Sequence, residues 1–188
     1  MMRTGRRQLV LAGAAAGLLG GASRAQAQAC PRVLDHTLPR LQDDAPVSLC
    51  PFAGRVLLVV NTASYCGYTP QYEGLEALHA RYAARGFTVL GFPSNDFNQE
   101  AKDRRTIADL CFNTYGVKFP MFATTRVRGT DAHPFFAALA TAAGQAPRWN
   151  FHKYLLDRQA RVVASFASDV APLDRRITDR VEQLLAAR

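Results

Sequence analysis

Past its N-terminal segment the chain switches repeatedly between short unbroken apolar runs and segments whose apolar positions recur every three or four residues. Residues 56–60 form an unbroken run of valine and leucine, the pattern of a strand buried on both faces. Thr69-Pro70 then offers a helix start, and Leu75, Leu78 and Tyr82 share one helical face up to a stop at Gly86. Residues 87–92 read as a second apolar strand closed by Pro93, and residues 94–100 as a polar loop. Ile107, Leu110 and Cys111 mark one face of a short helix that ends near Tyr115-Gly116. Residues 119–122 read as a strand with a proline in or beside it. Residues 134–143 read as an alanine-rich helix with Phe135, Phe136 and Leu139 turned inward. Residues 149–156 and 161–166 look like an antiparallel pair around a turn at 157–160. An amphipathic helix at 173–187, with Ile177, Val181, Leu184 and Leu185 on one face, closes the chain.

Ahead of all this, residues 33–38 and 47–49 read as a hairpin around a turn at 42–46. The full order is hairpin, β, α, β, α, β, α, β, β, α. It implies an α/β fold, a central mixed sheet flanked by helices with an N-terminal β-hairpin.

The first 29 residues do not fit that pattern. Arg3, Arg6 and Arg7 precede an apolar stretch at 9–19, and Ala25-Gln26-Ala27 and Ala27-Gln28-Ala29 are small-x-small cleavage sites. We expect residues 1–29 to be a cleavable export signal peptide and 30–188 the folded domain, with an uncleaved anchor as the other reading. The stretch is too short and glycine-rich for a convincing membrane span. Arg6-Arg7 leaves both the general and the twin-arginine export routes open, and the periplasm is the expected destination.

Removing the leader takes away four arginines, which leaves 19 positive against 15 negative residues and lowers the net charge from +8 to +4. The remaining positives are scattered, with no basic stripe interleaved with aromatics, so nucleic-acid binding is not expected. No phosphate loop, dinucleotide fingerprint or zinc spacing is present. Of the histidines, His36, His79 and His133 lack metal-ligand spacing, and His152 reads as a surface residue.

The chemistry resides in the cysteines. Cys66 lies between a buried strand and a helix start, where the positive end of the helix dipole favours a reactive thiolate. The other reading is a small cysteine packed under the helix. Cys30 and Cys50, counted outward from the hairpin turn, end nearly opposite one another, and we expect them to form a structural disulfide. A lipid anchor on Cys30 is the alternative, although Ala27-Gln28-Ala29 lacks the aliphatic residue such sites carry. Thr69 stands where a dithiol enzyme would have its second cysteine, and Ala63 stands where a peroxiredoxin would have threonine.

Four blocks in order, 61–69 (NTASYCGYT), 90–97 (LGFPSNDF), 115–122 (YGVKFPMF) and 149–154 (WNFHKY), resemble the glutathione peroxidase family, a branch of the thioredoxin-fold proteins. The resemblance runs from about Val33 to the C-terminus and implies a thioredoxin-like fold. It also implies a peroxidatic residue at Cys66, with Gln99, Trp149 and Asn150 as partners able to donate to a thiolate or a developing oxyanion. Only Asn98 separates Phe97 from Gln99 where the family has two residues, and Ala101 replaces its proline, so Asn98 is a second candidate donor. Cys111 falls where cysteine-type members carry a resolving cysteine, and there the other reading is a helix core residue.

The implied reaction reduces hydrogen peroxide and organic hydroperoxides. Cys66 becomes a sulfenic acid, Cys111 forms a disulfide with it, and glutathione or a thioredoxin-like dithiol restores both thiols. No cofactor is implied beyond that external thiol. The stretch before Trp149 is short where tetrameric members of that family carry an insertion, so the resemblance implies a monomer with an open, fairly apolar site. A peroxide sensor that passes its disulfide to a partner protein would use the same cysteines.

Overall fold

A computed structural model describes residues 1–2 and 29–187. The expected leader, apart from Met1, Met2 and Ala29, lies outside the described residues. No helix among the described residues is long and apolar enough to cross a membrane.

Strand β3 (Val56–Thr62) is the centre of the molecule, and every one of its residues is buried. It pairs in parallel with β4 (Phe87–Pro93) and antiparallel with β5 (Lys153–Leu156), which pairs antiparallel with β6 (Val162–Phe166). The sheet order is β4-β3-β5-β6. Successive β3 side chains point to opposite faces, so its unbroken apolar run serves two cores. Val56, Leu58 and Val60 pack with Leu75 and Leu78 of α1 (Gln71–Tyr82) and with Ile177 and Val181 of α4 (Arg175–Ala186). Leu57 and Val59 pack with Phe135, Phe136 and Leu139 of α3 (Pro134–Ala143) and with Leu34 and Leu38 near the hairpin. Full burial of each such side chain is worth about 1.5–3 kcal/mol.

The hairpin forms between β1 (Thr37–Pro39) and β2 (Pro46–Ser48), shorter than expected because residues 32–34 coil into a 3-10 turn. Cys30 and Cys50 are joined by a disulfide beside it, as expected, although the register sets Cys50 opposite Asp35 and the 3-10 turn, not strand pairing, brings Cys30 to it. Helix α1 gives way to a 3-10 turn and ends at Gly86, whose φ of 92° is left-handed and favours glycine.

Three expectations need correction. Residues 119–122 are not a strand: Met121 and Phe122 make only isolated bridges, to Gly91 and Arg40. Pro120 has no N–H to extend a ladder, although its carbonyl accepts from the Gly91 N–H. Met121 lies so close over Gly91 that a Cβ there would meet its sulfur at 2.3 Å. Residues 149–152 do not belong to β5, because Phe151 takes a left-handed φ of 61° and turns the chain into the strand. Third, His152 is buried rather than on the surface. Its Nε2 lies 2.8 Å from Ser165 Oγ and its ring packs edge-on to Tyr154.

Candidate active site

Strand β3 ends at Thr62, and a tight turn carries Cys66 to the start of α1. Thr69 shapes that turn twice over: its hydroxyl accepts from the Cys66 N–H at 3.1 Å and donates to the Ala63 carbonyl at 3.0 Å. The Cys66 thiol is 7 % exposed, and the Tyr68 N–H donates to Sγ at 3.4 Å. A backbone donor aimed at sulfur from a turn at a helix start is an arrangement that suits an anion.

The loop after β4 is fastened to this turn. The Tyr65 N–H donates to the Gln99 carbonyl at 2.9 Å, and the Ser64 N–H donates to Glu100 Oε1 at 3.0 Å. The Ser64 hydroxyl and the Ala101 N–H converge on the same Glu100 oxygen. Glu100 is buried, and burial raises its pKa against the opposing effect of those donors. Its other oxygen is buried without a partner among the described residues. The loop's shortness is accommodated at Asn98, which takes a left-handed φ of 56° and leaves its side chain in solvent.

Gln99 reaches the third expected partner, since Asn150 Nδ2 donates to Gln99 Oε1 at 2.9 Å. Asn150 is fully buried and its Oδ1 has no partner among the described residues. Trp149 is 42 % exposed and packs on Phe97 with ring centroids 5.4 Å apart. The corner that carries both residues is bound to the end of β3. Asn61 Nδ2 donates to the Trp149 carbonyl at 3.1 Å, and the Phe151 N–H donates to the Asn61 carbonyl at 2.6 Å. In this resting form the two amides bond each other rather than the thiol.

Cys111 is a free thiol with no exposure, in the same core as Cys66. It does not continue an α-helix. Helix α2 (Arg104–Asp109), capped by Asp103, widens into a π-helical turn at Leu110–Thr114. Such turns are frequent at functional sites. The Cys111 thiol donates to the Tyr72 hydroxyl at 3.3 Å. Burial, helped by the Glu100 charge, pushes its pKa up to about 12 against the effect of Tyr72. At rest Cys111 is therefore a protonated thiol held under α1.

Sequence reasoning did not find Ser64, Glu100, Tyr72 or Lys153. Glu100 closes the polar loop and Tyr72 lies in the first turn of α1, but no spacing marks either, because their bonds join distant parts of the chain. Among the described residues one group of metal-type ligands lies close together, Cys30, Asp35 and Cys50, and its two sulfurs are in the disulfide.

The glutathione peroxidase family model matches residues 35–140. The hydroperoxy fatty acid reductase gpx1 of Synechocystis is 46 % identical over 76 % of this chain and 90 % of its own length. The thioredoxin/glutathione peroxidase BtuE of Escherichia coli is 38 % identical over 77 % of this chain and 92 % of its own. In three dimensions the crystal structure of T. cruzi GPX1 superposes with a TM-score of 0.65 at 31 % identity, over 81 % of this chain and 95 % of that one.

Proposed function

The chain belongs to the glutathione peroxidase family, with its thioredoxin-like α/β fold, and from that premise we propose that Cys66 is the peroxidatic thiol and Cys111 the resolving one. The protein is a thiol peroxidase, an oxidoreductase that reduces hydrogen peroxide and organic hydroperoxides with thioredoxin or glutathione as reductant. The observation that carries the assignment is the setting of Cys66. A thiol beside a backbone donor stands at a helix start, in a turn whose Tyr65 N–H is bonded to the carbonyl of Gln99, and the Gln99 side chain in turn accepts from Asn150.

The Cys66 thiolate attacks the distal peroxide oxygen. The O–O bond breaks, the leaving oxygen takes a proton and departs as water or alcohol, and Cys66 is left as a sulfenic acid. Donors from Gln99, Asn150 and the Trp149 indole then face the developing oxygen charge once peroxide separates the two amides. The π-turn at Leu110–Thr114 opens, Cys111 gives up its proton and attacks the Cys66 sulfur, and hydroxide leaves with that proton as water. A dithiol reductant returns both thiols by exchange. The exposed rings of Tyr65, which precedes Cys66, and of Trp149 suit bulky organic hydroperoxides.

The Cys30–Cys50 disulfide and the leader pattern support export to the periplasm, with the domain beginning at residue 30. The short stretch before Trp149 supports a monomer. Steady-state assays with hydroperoxide test the function. Sustained turnover with a thioredoxin system is expected in the unsubstituted protein and its loss in Cys66→Ser. A single oxidation passed to a partner without turnover would identify a sensor, and full turnover in Cys66→Ser would refute the assignment.

A further inference from the structure

Lys153 stands on β5 in the middle of an apolar sheet, opposite Val60 of β3 and Phe166 of β6. It is among the largest fully buried side chains. An amine taken out of water is unfavourable, and a methionine or leucine there would avoid the penalty. The amine does make one close bond: Nζ donates to the Phe151 carbonyl at 2.7 Å. Phe151 is the residue whose left-handed backbone turns the Trp149-Asn150 corner into β5, a conformation a bulky aromatic residue rarely adopts unless its surroundings hold it. The corner is thus fastened from both sides, by Asn61 of β3 and by Lys153.

We propose that Lys153 is a positioning residue for peroxide reduction, holding the left-handed Phe151 corner that presents Asn150 and Trp149 to Cys66. The proposal rests on the assignment of those three residues made above. Lys153 acts through the Phe151 backbone and contacts neither thiol nor peroxide.

The charged surroundings make this role sensitive to pH. Asp169, exposed in the loop after β6, is the carboxylate whose field reaches Lys153, and Arg176 of α4 feels the same carboxylate. His152 precedes Lys153, with Arg148 in its field; α1 contributes Tyr72, packed on Phe151; β3 and β6 have no charged residue. Burial outweighs Asp169 and lowers the Lys153 pKa to about 7, while burial and its cationic neighbours lower that of His152 to about 4. Around neutrality the changing group is the lysine amine, and its charged form is the stronger donor to the Phe151 carbonyl. The corner tightens when Lys153 is protonated.

Trp149 is the single tryptophan of the chain, so its fluorescence reports on this corner alone. The measurement uses Cys66→Ser protein, so that no thiol chemistry at that position contributes, scanned across the neutral range. One transition is expected with a midpoint near pH 7, the lowered value of Lys153. Asp169→Asn, a surface change that leaves the core alone, moves the midpoint to lower pH, and Lys153→Met removes the transition. With Cys66 present, Lys153→Met slows the first oxidation of Cys66 by peroxide roughly 10–100-fold. A flat emission profile, a midpoint unmoved by Asp169→Asn or a transition that survives in Lys153→Met overturns the proposal. Unchanged oxidation of a reactive Cys66 in Lys153→Met overturns it alone. A Cys66 that does not react with peroxide in the unsubstituted protein removes the thiol assignment as well.

Discussion

Cys30 and Cys50 meet beside the N-terminal hairpin as a closed, half-buried disulfide spanning 20 residues, whereas Cys66 and Cys111 are free, buried thiols on separate elements of one core. The first pair is brought together locally: the ladder register runs toward Asp35 opposite Cys50, and the 3-10 turn at Arg32–Leu34 carries the chain on so that Cys30 meets Cys50. The second pair shares a core but not a bond. Cys66 has a backbone donor at its sulfur, while Cys111 lies buried under Tyr72 in a π-helical turn that, in the proposed cycle, opens before the two sulfurs meet. A disulfide that only staples needs no moving part. In the proposed cycle the second pair forms and breaks its disulfide at every turnover, which needs a segment that opens, and the π-turn is the candidate for it.

That contrast is sharpest when each pair is removed in turn. Replacing both Cys30 and Cys50 by serine is expected to lower unfolding free energy by about 3 kcal/mol, from the closure entropy of a loop of this length. The peroxide-driven loss of Cys66 and Cys111 thiols should be unchanged. Denaturant melts and thiol counts on the same preparation check both halves, and an altered rate of thiol loss would mean that the two pairs communicate.

A smaller effect is expected at Lys153. Its pKa is about 7 in the folded protein against 10.5 for an ordinary lysine, so the unfolded chain binds the extra proton between those values. The penalty for burying the charge is full below about pH 7 and is relieved as pH rises toward 10.5. Lys153→Met should therefore be stabilising, by about 3 kcal/mol more at pH 6 than at pH 9, while oxidising Cys66 more slowly. Denaturant midpoints at the two pH values check it. A gain that grows with pH would reverse the sign and contradict the buried amine.

Much of this was legible in the sequence where a local pattern decides the outcome. The apolar runs at β3 and β4 and the helical spacing of Leu75, Leu78 and Tyr82 follow from periods of two or 3.6 residues, while the Cys30–Cys50 pair was legible from its nearness to the hairpin. Residues 119–122 misled because their composition is that of a strand while Pro120 denies the ladder a donor. The corner at 149–152 misled because a left-handed Phe151 is held by Asn61 and Lys153, far apart in the chain. Glu100 escaped notice for the same reason, since its importance is a set of bonds to Ser64, 36 residues away. The shortened loop at Asn98 was legible as a departure, but its resolution through a positive φ required the fold.

The most direct test of the account is the fate of the two free thiols after one equivalent of hydroperoxide. Intact mass and peptide mapping would be run on the reduced protein and on Cys111→Ser. The account predicts rapid loss of two thiols with a Cys66–Cys111 link in the unsubstituted protein, and a Cys66 sulfenic acid without that link in the variant. Oxidation that stops at Cys66 in both proteins, with Cys111 still a thiol, would contradict the two-cysteine cycle and leave a one-cysteine peroxidase reduced directly by a small thiol.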